Sequence, residues 1–241
     1  MLSWVRAWVL AVVLVGMAGT GCKKHITPFD EAASAVGSPE FFAREQVARW
    51  LLVYDTVALL AREQGGKNAL CWQSDDTWYA RSGDKVLRLE GDSMVVVDDA
   101  DLEAAEALFR AVNRARNNQR EGEDLVLSAY ARNLGQEIEV WLLPMGLDEV
   151  VIGDSWRYVY SPSGREMIGS ETWKRGSQVM GADSDLDLTL QSGEEEHPTV
   201  AELFFALYYR DSFKSVTIET AKYRVTPMEL DGALGWGRST R

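Results

Sequence analysis

Residues 124–143 read DLVLSAYARNLGQEIEVWLL, and this stretch decides the fold. From Asp124 to Asn133 the odd positions Leu125, Leu127, Ala129 and Ala131 are apolar, with Ser128, Tyr130 and Arg132 between them. From Gln136 to Leu143 the apolar positions are the even ones, Ile138, Val140 and Leu142, alternating with Glu137, Glu139 and Trp141. Alternation with period two marks strands that are wet on one face. A two-residue loop at Leu134-Gly135 pairs Arg132 with Glu137, Ala131 with Ile138 and Leu127 with Leu142, which gathers both apolar sets on one face. A slip of one residue would turn every one of them to water.

The chain continues in hairpins. Trp156–Ser161 and Arg165–Trp173 flank Ser161-Pro162-Ser163-Gly164, where proline suits the second turn position and glycine the positive φ of a bulged loop. This register puts Trp156, Tyr158, Tyr160, Ile168 and Thr172 on one face, with Val159 and Met167 on the other. Upstream, Ala69–Trp72, Thr77–Ser82, Lys85–Glu90 and Ser93–Asp98 read as four short strands, the last three joined by Gly83-Asp84 and Gly91-Asp92. Trp78, Ala80, Leu87, Leu89, Met94 and Val96 share one face, Trp72 is expected opposite Trp78, and Tyr79 falls opposite Arg88, suited to a cation–π contact.

Three helices complete the pattern. Ser38-Pro39 opens the first, serine as N-cap and proline at N1; Val47, Trp50, Leu51, Tyr54, Val57 and Ala61 keep helical spacing, and Gly65-Gly66 stops it. Too few heptads follow this 3,4 spacing for a coiled coil, so packing on its own sheet is expected. Asp99–Asn118 is the second, with Leu102, Leu108, Phe109 and Val112 expected inward, acids at its start and Arg114 and Arg116 at its end. The third has a capping box, Thr199 and Glu202, and a stripe of Val200, Leu203, Phe204, Leu207 and Tyr208. Residues 213–225 change parity near Ala221, as a bulge or two strands would. Strands run in hairpins and do not alternate with helices, so the class is α+β with antiparallel meander sheets. Residues 38–228 are expected as one globular domain, or two subdomains divided near residue 120, and 229–241 as a loose Gly-rich tail.

The N-terminus is of another kind. Arg6 is the only charge before an apolar run from Ala7 to about Gly19, a length of about 13–15 residues that fits the core of an export signal and is short for a bilayer span. Met17-Ala18-Gly19-Thr20-Gly21-Cys22 resembles the lipobox of bacterial lipoproteins, with Gly19 where that family usually carries leucine. The resemblance implies cleavage of residues 1–21 and a diacylglyceryl thioether on Cys22, and Lys23 after it implies an outer membrane where the host has one. An ordinary cleaved signal and an uncleaved anchor are the alternatives. Cys71 is the only other cysteine, so an unlipidated Cys22 is either half of a long-range disulfide or a bare thiol in an oxidising compartment. Each buried acyl methylene contributes roughly 0.8 kcal/mol, and two or more chains anchor stably. Lys23 to Gly37 lacks periodicity and reads as a tether.

Removing residues 1–21 takes away Arg6 and no acid, which moves the net charge from −12 to −13. Such a chain repels phosphate backbones and anionic headgroups, so nucleic acid is not an expected partner; the membrane enters through the lipid alone.

Motifs for chemistry are scarce. Asp183, Asp185, Asp187 and Glu194 take positions 1, 3, 5 and 12 of a calcium loop, but Leu188 stands where the sharp turn needs glycine, and a strand with one charged face is the simpler reading. The two histidines are His25 in the tether and His197 before the third helix, without HExxH or paired CxxC, so no metal or cofactor is expected. A Ser–His–Asp device would have to use His197, and no serine has a nucleophile-elbow context. Cys71 beside Trp72 reads as an inert buried thiol, with an intermolecular disulfide as the alternative. Seven of the nine tryptophans follow Cys22. Of these Trp141, with Tyr130 diagonal to it and Glu139 beside it, falls on the polar face of the central hairpin, where flat rings would stack on a sugar or anchor a protein. The expectation is a lipid-anchored protein of the bacterial envelope whose periplasmic or surface body binds a protein or a glycan without catalysis. The alternative is an envelope hydrolase using carboxylates.

Overall fold

The computed structural model describes residues 38–65, 69–74, 76–98, 102–119, 126–146, 149–173, 176, 178–230 and 233–240. The signal segment, Cys22, His25 and the tether lie outside the described residues. The fold is α+β, with three helices and sheets built mainly from hairpins. Two compact units divide the chain, one of residues 54–181 and one combining the chain up to Val53 with Ala182–Arg241. The divisions therefore fall after Val53 and after Gly181, not near residue 120. The first helix, α1 (Pro39–Gly65), contributes residues 39–53 to one unit and 54–65 to the other.

In the 54–181 unit, β1 (Ala69–Ser74), β2 (Thr77–Ser82), β3 (Lys85–Glu90) and β4 (Ser93–Val96) form an antiparallel meander. The glycine turns hold the expected register: Ala80 pairs with Leu87, Tyr79 with Arg88 and Leu87 with Val96. Trp72 departs from expectation. Ser74 pairs with Thr77 around a turn in which Asp76 adopts φ +62°, so Trp72 lies across from Tyr79. That one-residue difference moves Trp72 to the other face, where its ring stacks on Tyr79 at 5.6 Å and 15° while Trp78 meets Tyr54 edge-on. Arg88 ion-pairs with Glu90.

The helix α2 (Leu102–Asn118) packs on a second meander, β5 (Leu127–Asn133), β6 (Ile138–Pro144), β8 (Ser155–Tyr160) and β9 (Met167–Trp173), in that order. Its buried stripe is Ala105, Leu108, Ala111, Val112 and Ala115, facing Ala131, Ile138, Val140, Leu142, Trp156 and Tyr158. Alanine at three of those five helix positions brings the helix backbone close, and each large side chain buried there contributes roughly 1.5–3 kcal/mol. Leu102 and Phe109, expected inward, lie beside the stripe and are about half exposed.

The β5–β6 register differs from the expected one by two residues: Arg132 pairs with Glu139, Ala131 with Val140 and Leu127 with Pro144. The loop is four residues long, closed by the Leu134 N–H to Glu137 carbonyl bond and by the Asn133 side chain accepting the Gly135 N–H. A shift of two leaves each side chain on its expected face, so the apolar sets still share one. Between β8 and β9 a bulge follows Val159, and Met167 pairs with Tyr160 on the Tyr158 side instead of the far side. A two-stranded ladder, β7 (Val150–Ile152) with β10 (Gln178–Met180), completes the unit.

In the other unit, β11 (Asp183–Gln191) runs parallel to β12 (Phe213–Glu219), joined through α3 (Val200–Tyr208), which is buried on all sides from 200 to 207. The capping box of Thr199 and Glu202 is formed. After β12 comes a separate strand, β13 (Tyr223–Leu230), which accounts for the parity change. The expected loose tail is instead a strand, β14 (Ala233–Thr240), paired along its length with β13. Trp236 holds it, fully buried and edge-on to Phe41 at 5.8 Å, and Arg49 donates to the Leu234 carbonyl at 2.8 Å.

Candidate functional site

The residues singled out for a surface patch are interior. Tyr130, Glu139 and Trp141 are 1–2% exposed. Tyr130 packs against Tyr54 at 5.4 Å and donates its hydroxyl hydrogen to Asp55 at 3.3 Å. Trp141 is directly opposite Tyr130, not diagonal to it, and stacks on Trp173 at 5.5 Å and 9°. No open aromatic platform exists at these residues, because alternation reveals which side chains share a face but not what covers it.

Glu139 is the centre of an ion-pair group. Arg132, its cross-strand partner, binds one carboxylate oxygen; Arg157 Nε donates to the other at 2.7 Å and reaches Glu171 at 3.0 Å through Nη1. Burial pushes the Glu139 carboxyl up, but the two guanidiniums outweigh it and hold the group below the usual range. Asp55 shows the reverse: burial raises its carboxyl to about 6, against the opposing pull of Arg62 and the Tyr130 hydroxyl. Cys71 is fully buried, with its thiol pushed up by burial, which leaves its sulfur inert and out of reach of an intermolecular disulfide.

His197 is in the other unit. Its Nδ1 lies 2.6 Å from the Tyr223 hydroxyl and its Nε2 3.4 Å from Ser38 Oγ and 4.0 Å from Glu40. Ser38 already accepts the Phe41 N–H as the cap of α1. The arrangement fastens the start of α1 to β13, with a hydroxyl where a Ser–His device has its acid. Asp187, from the calcium-like run, accepts the Ser215 hydroxyl at 2.6 Å, and among the described residues no three His, Cys, Asp or Glu side chains converge on a metal position.

The accessible chemistry lies at the outer edge of the second meander. Among the described residues β9 is the last strand in its sheet; five of its residues are exposed, Met167 and Ile168 by 54% and 62%, and Gly169 and Trp173 are partly buried. Nearby, a cleft of about 390 Å³ opens between the start of α2, the end of β5 and the β8–β9 turn, lined by Glu103, Arg110, Asn133, Ser163 and Arg165 among others. Sequence reading missed both. The only local signal was Gly164, whose φ of +68° and near contact with Ala107 press the turn onto the helix. No family model and no curated protein matches the chain.

Proposed function

We propose that the chain is a lipid-anchored protein of the bacterial envelope, held through Cys22, whose body binds another protein without catalysis. The β9 edge carries the binding part of this reading. An unpaired strand presents a row of N–H and C=O groups that a partner strand can complete. β9 contains neither Pro nor Lys to blunt it, its one charge, Glu171, is paired with Arg157, and the bulge bends only its first residues. A glycan platform loses support because Trp141 and Tyr130 are buried. The carboxylate hydrolase loses support because Glu103 is the only acid lining the cleft among the described residues. The lipobox resemblance supports the anchor.

Photo-crosslinkers placed singly at Ile168, Thr172 and the exposed loop residue Leu134 in the native envelope test the reading. One protein captured from Ile168 and Thr172 but not from Leu134 is the expected result. Abundant bystanders from all three positions would contradict it. Intact mass of the natural protein tests the anchor: a chain that begins at acylated Cys22 is expected, and retention of residues 1–21 or a free Cys22 thiol would overturn it.

A further inference from the structure

The geometry points to the cleft at the start of α2 as a binding site for a single carboxylate on a small ligand, the size of an acylated amino acid. This is independent of the β9 reading. Arg110, Arg165, Asn133 and Ser163 line the cleft with the carboxylate of Glu103. Arg110 is held by Glu106 at 3.6 Å and Ser163 Oγ lies 3.1 Å from Ser161 Oγ, so the donors left for a ligand are the Arg165 guanidinium and the Asn133 carboxamide. Asn133 uses its oxygen on the Gly135 N–H at 2.8 Å, which leaves its NH2 group to donate. Arg165 is exposed and has no ion-pair partner among the described residues.

The walls are set before a ligand arrives. Arg110 Nε donates to the Ser163 carbonyl at 3.0 Å, and a Cβ on Gly164 would come 2.2 Å from the Ala107 carbonyl oxygen, so turn and helix touch backbone to backbone. A pre-formed site loses little free energy to ordering on binding. Guanidinium and carboxylate match as planar, two-pronged partners. A dianion such as phosphate meets about twice the repulsion from Glu103 but also about twice the attraction of Arg165, so the preference for a carboxylate rests on the flat two-pronged fit and not on charge. The volume is near the lower end of the range for small-ligand sites, roughly 300–1,000 Å³.

Titration calorimetry on the full chain with N-acetylalanine, N-acetylalaninamide and inorganic phosphate tests the assignment. The acid should bind, the amide should bind at least about tenfold more weakly, phosphate should bind no tighter than the acid, and Arg165→Gln should weaken the acid about tenfold. Arg165 is exposed and makes no ion pair among the described residues, so that variant should keep the fold, which an unchanged unfolding curve checks. Equal affinity for acid and amide, no binding of either, tighter binding of phosphate, or an unchanged Arg165→Gln would each overturn it.

Discussion

β8 and β9 are neighbours in one sheet, and they have opposite fates. Ser155–Tyr160 is buried at every position but Arg157, while Met167–Trp173 is exposed at five of its seven positions and fully buried at none. Residue type does not explain this, since Met167 and Ile168 are as apolar as Val159 and Trp156. Place in the strand order does: β8 has a neighbour on either side and α2 over one face, and β9 closes the row. The same side chain thus contributes to stability in one strand and remains available to a partner in the next.

The contrast is sharpest for core truncation. Trp156→Ala should cost about 4 kcal/mol in urea unfolding, whereas Ile168→Ala should change stability by less than about 0.5 kcal/mol. A large loss from the second would mean that β9 is covered after all. Glu139→Ala should cost about 3 kcal/mol by removing the buried carboxylate that Arg132 and Arg157 share and leaving Arg157 with the exposed Glu171, and added salt should restore little of it. Gly164→Ala tests the link between the two strands: strain at a positive φ and the clash with Ala107 should cost about 2 kcal/mol.

Asp55→Asn should act in the opposite direction. The Asp55 carboxyl titrates near 6 in the folded protein and near 3.9 in the unfolded chain. The folded state therefore binds more protons between those values, and stability falls as pH rises from about 4 to 6. Replacement by Asn removes that loss, a gain of about 3 kcal/mol at pH 7 that vanishes near pH 4. Parallel unfolding curves at the two pH values check this; a gain of equal size at both would assign the effect to packing.

Much of the fold is legible in the sequence because burial on one face imposes alternation. The split of Ala131, Ile138 and Val140 from Arg132 and Glu139 is visible without coordinates. Register is less legible: a two-residue shift keeps every side chain on its face, so alternation cannot distinguish a two-residue loop from the four-residue loop closed at Leu134 and Glu137. One turn residue fewer before Thr77 was enough to redirect Trp72. The glycines around Trp236 disguise β14, whose strand is fixed by long-range contact with Phe41. The site was least legible. Glu139 and Trp141 look like a wet face until the residues over them are known, and the cleft depends on a contact between Ala107 and Gly164 far apart in the chain.

Hydrogen exchange measured by mass spectrometry, on the purified protein and on the same protein in its native envelope, tests the central claim most directly. Residues 167–173 should exchange more slowly in the envelope, with residues 155–160 equally slow in both. Identical exchange of residues 167–173 in the two samples would contradict a role for the β9 edge in binding.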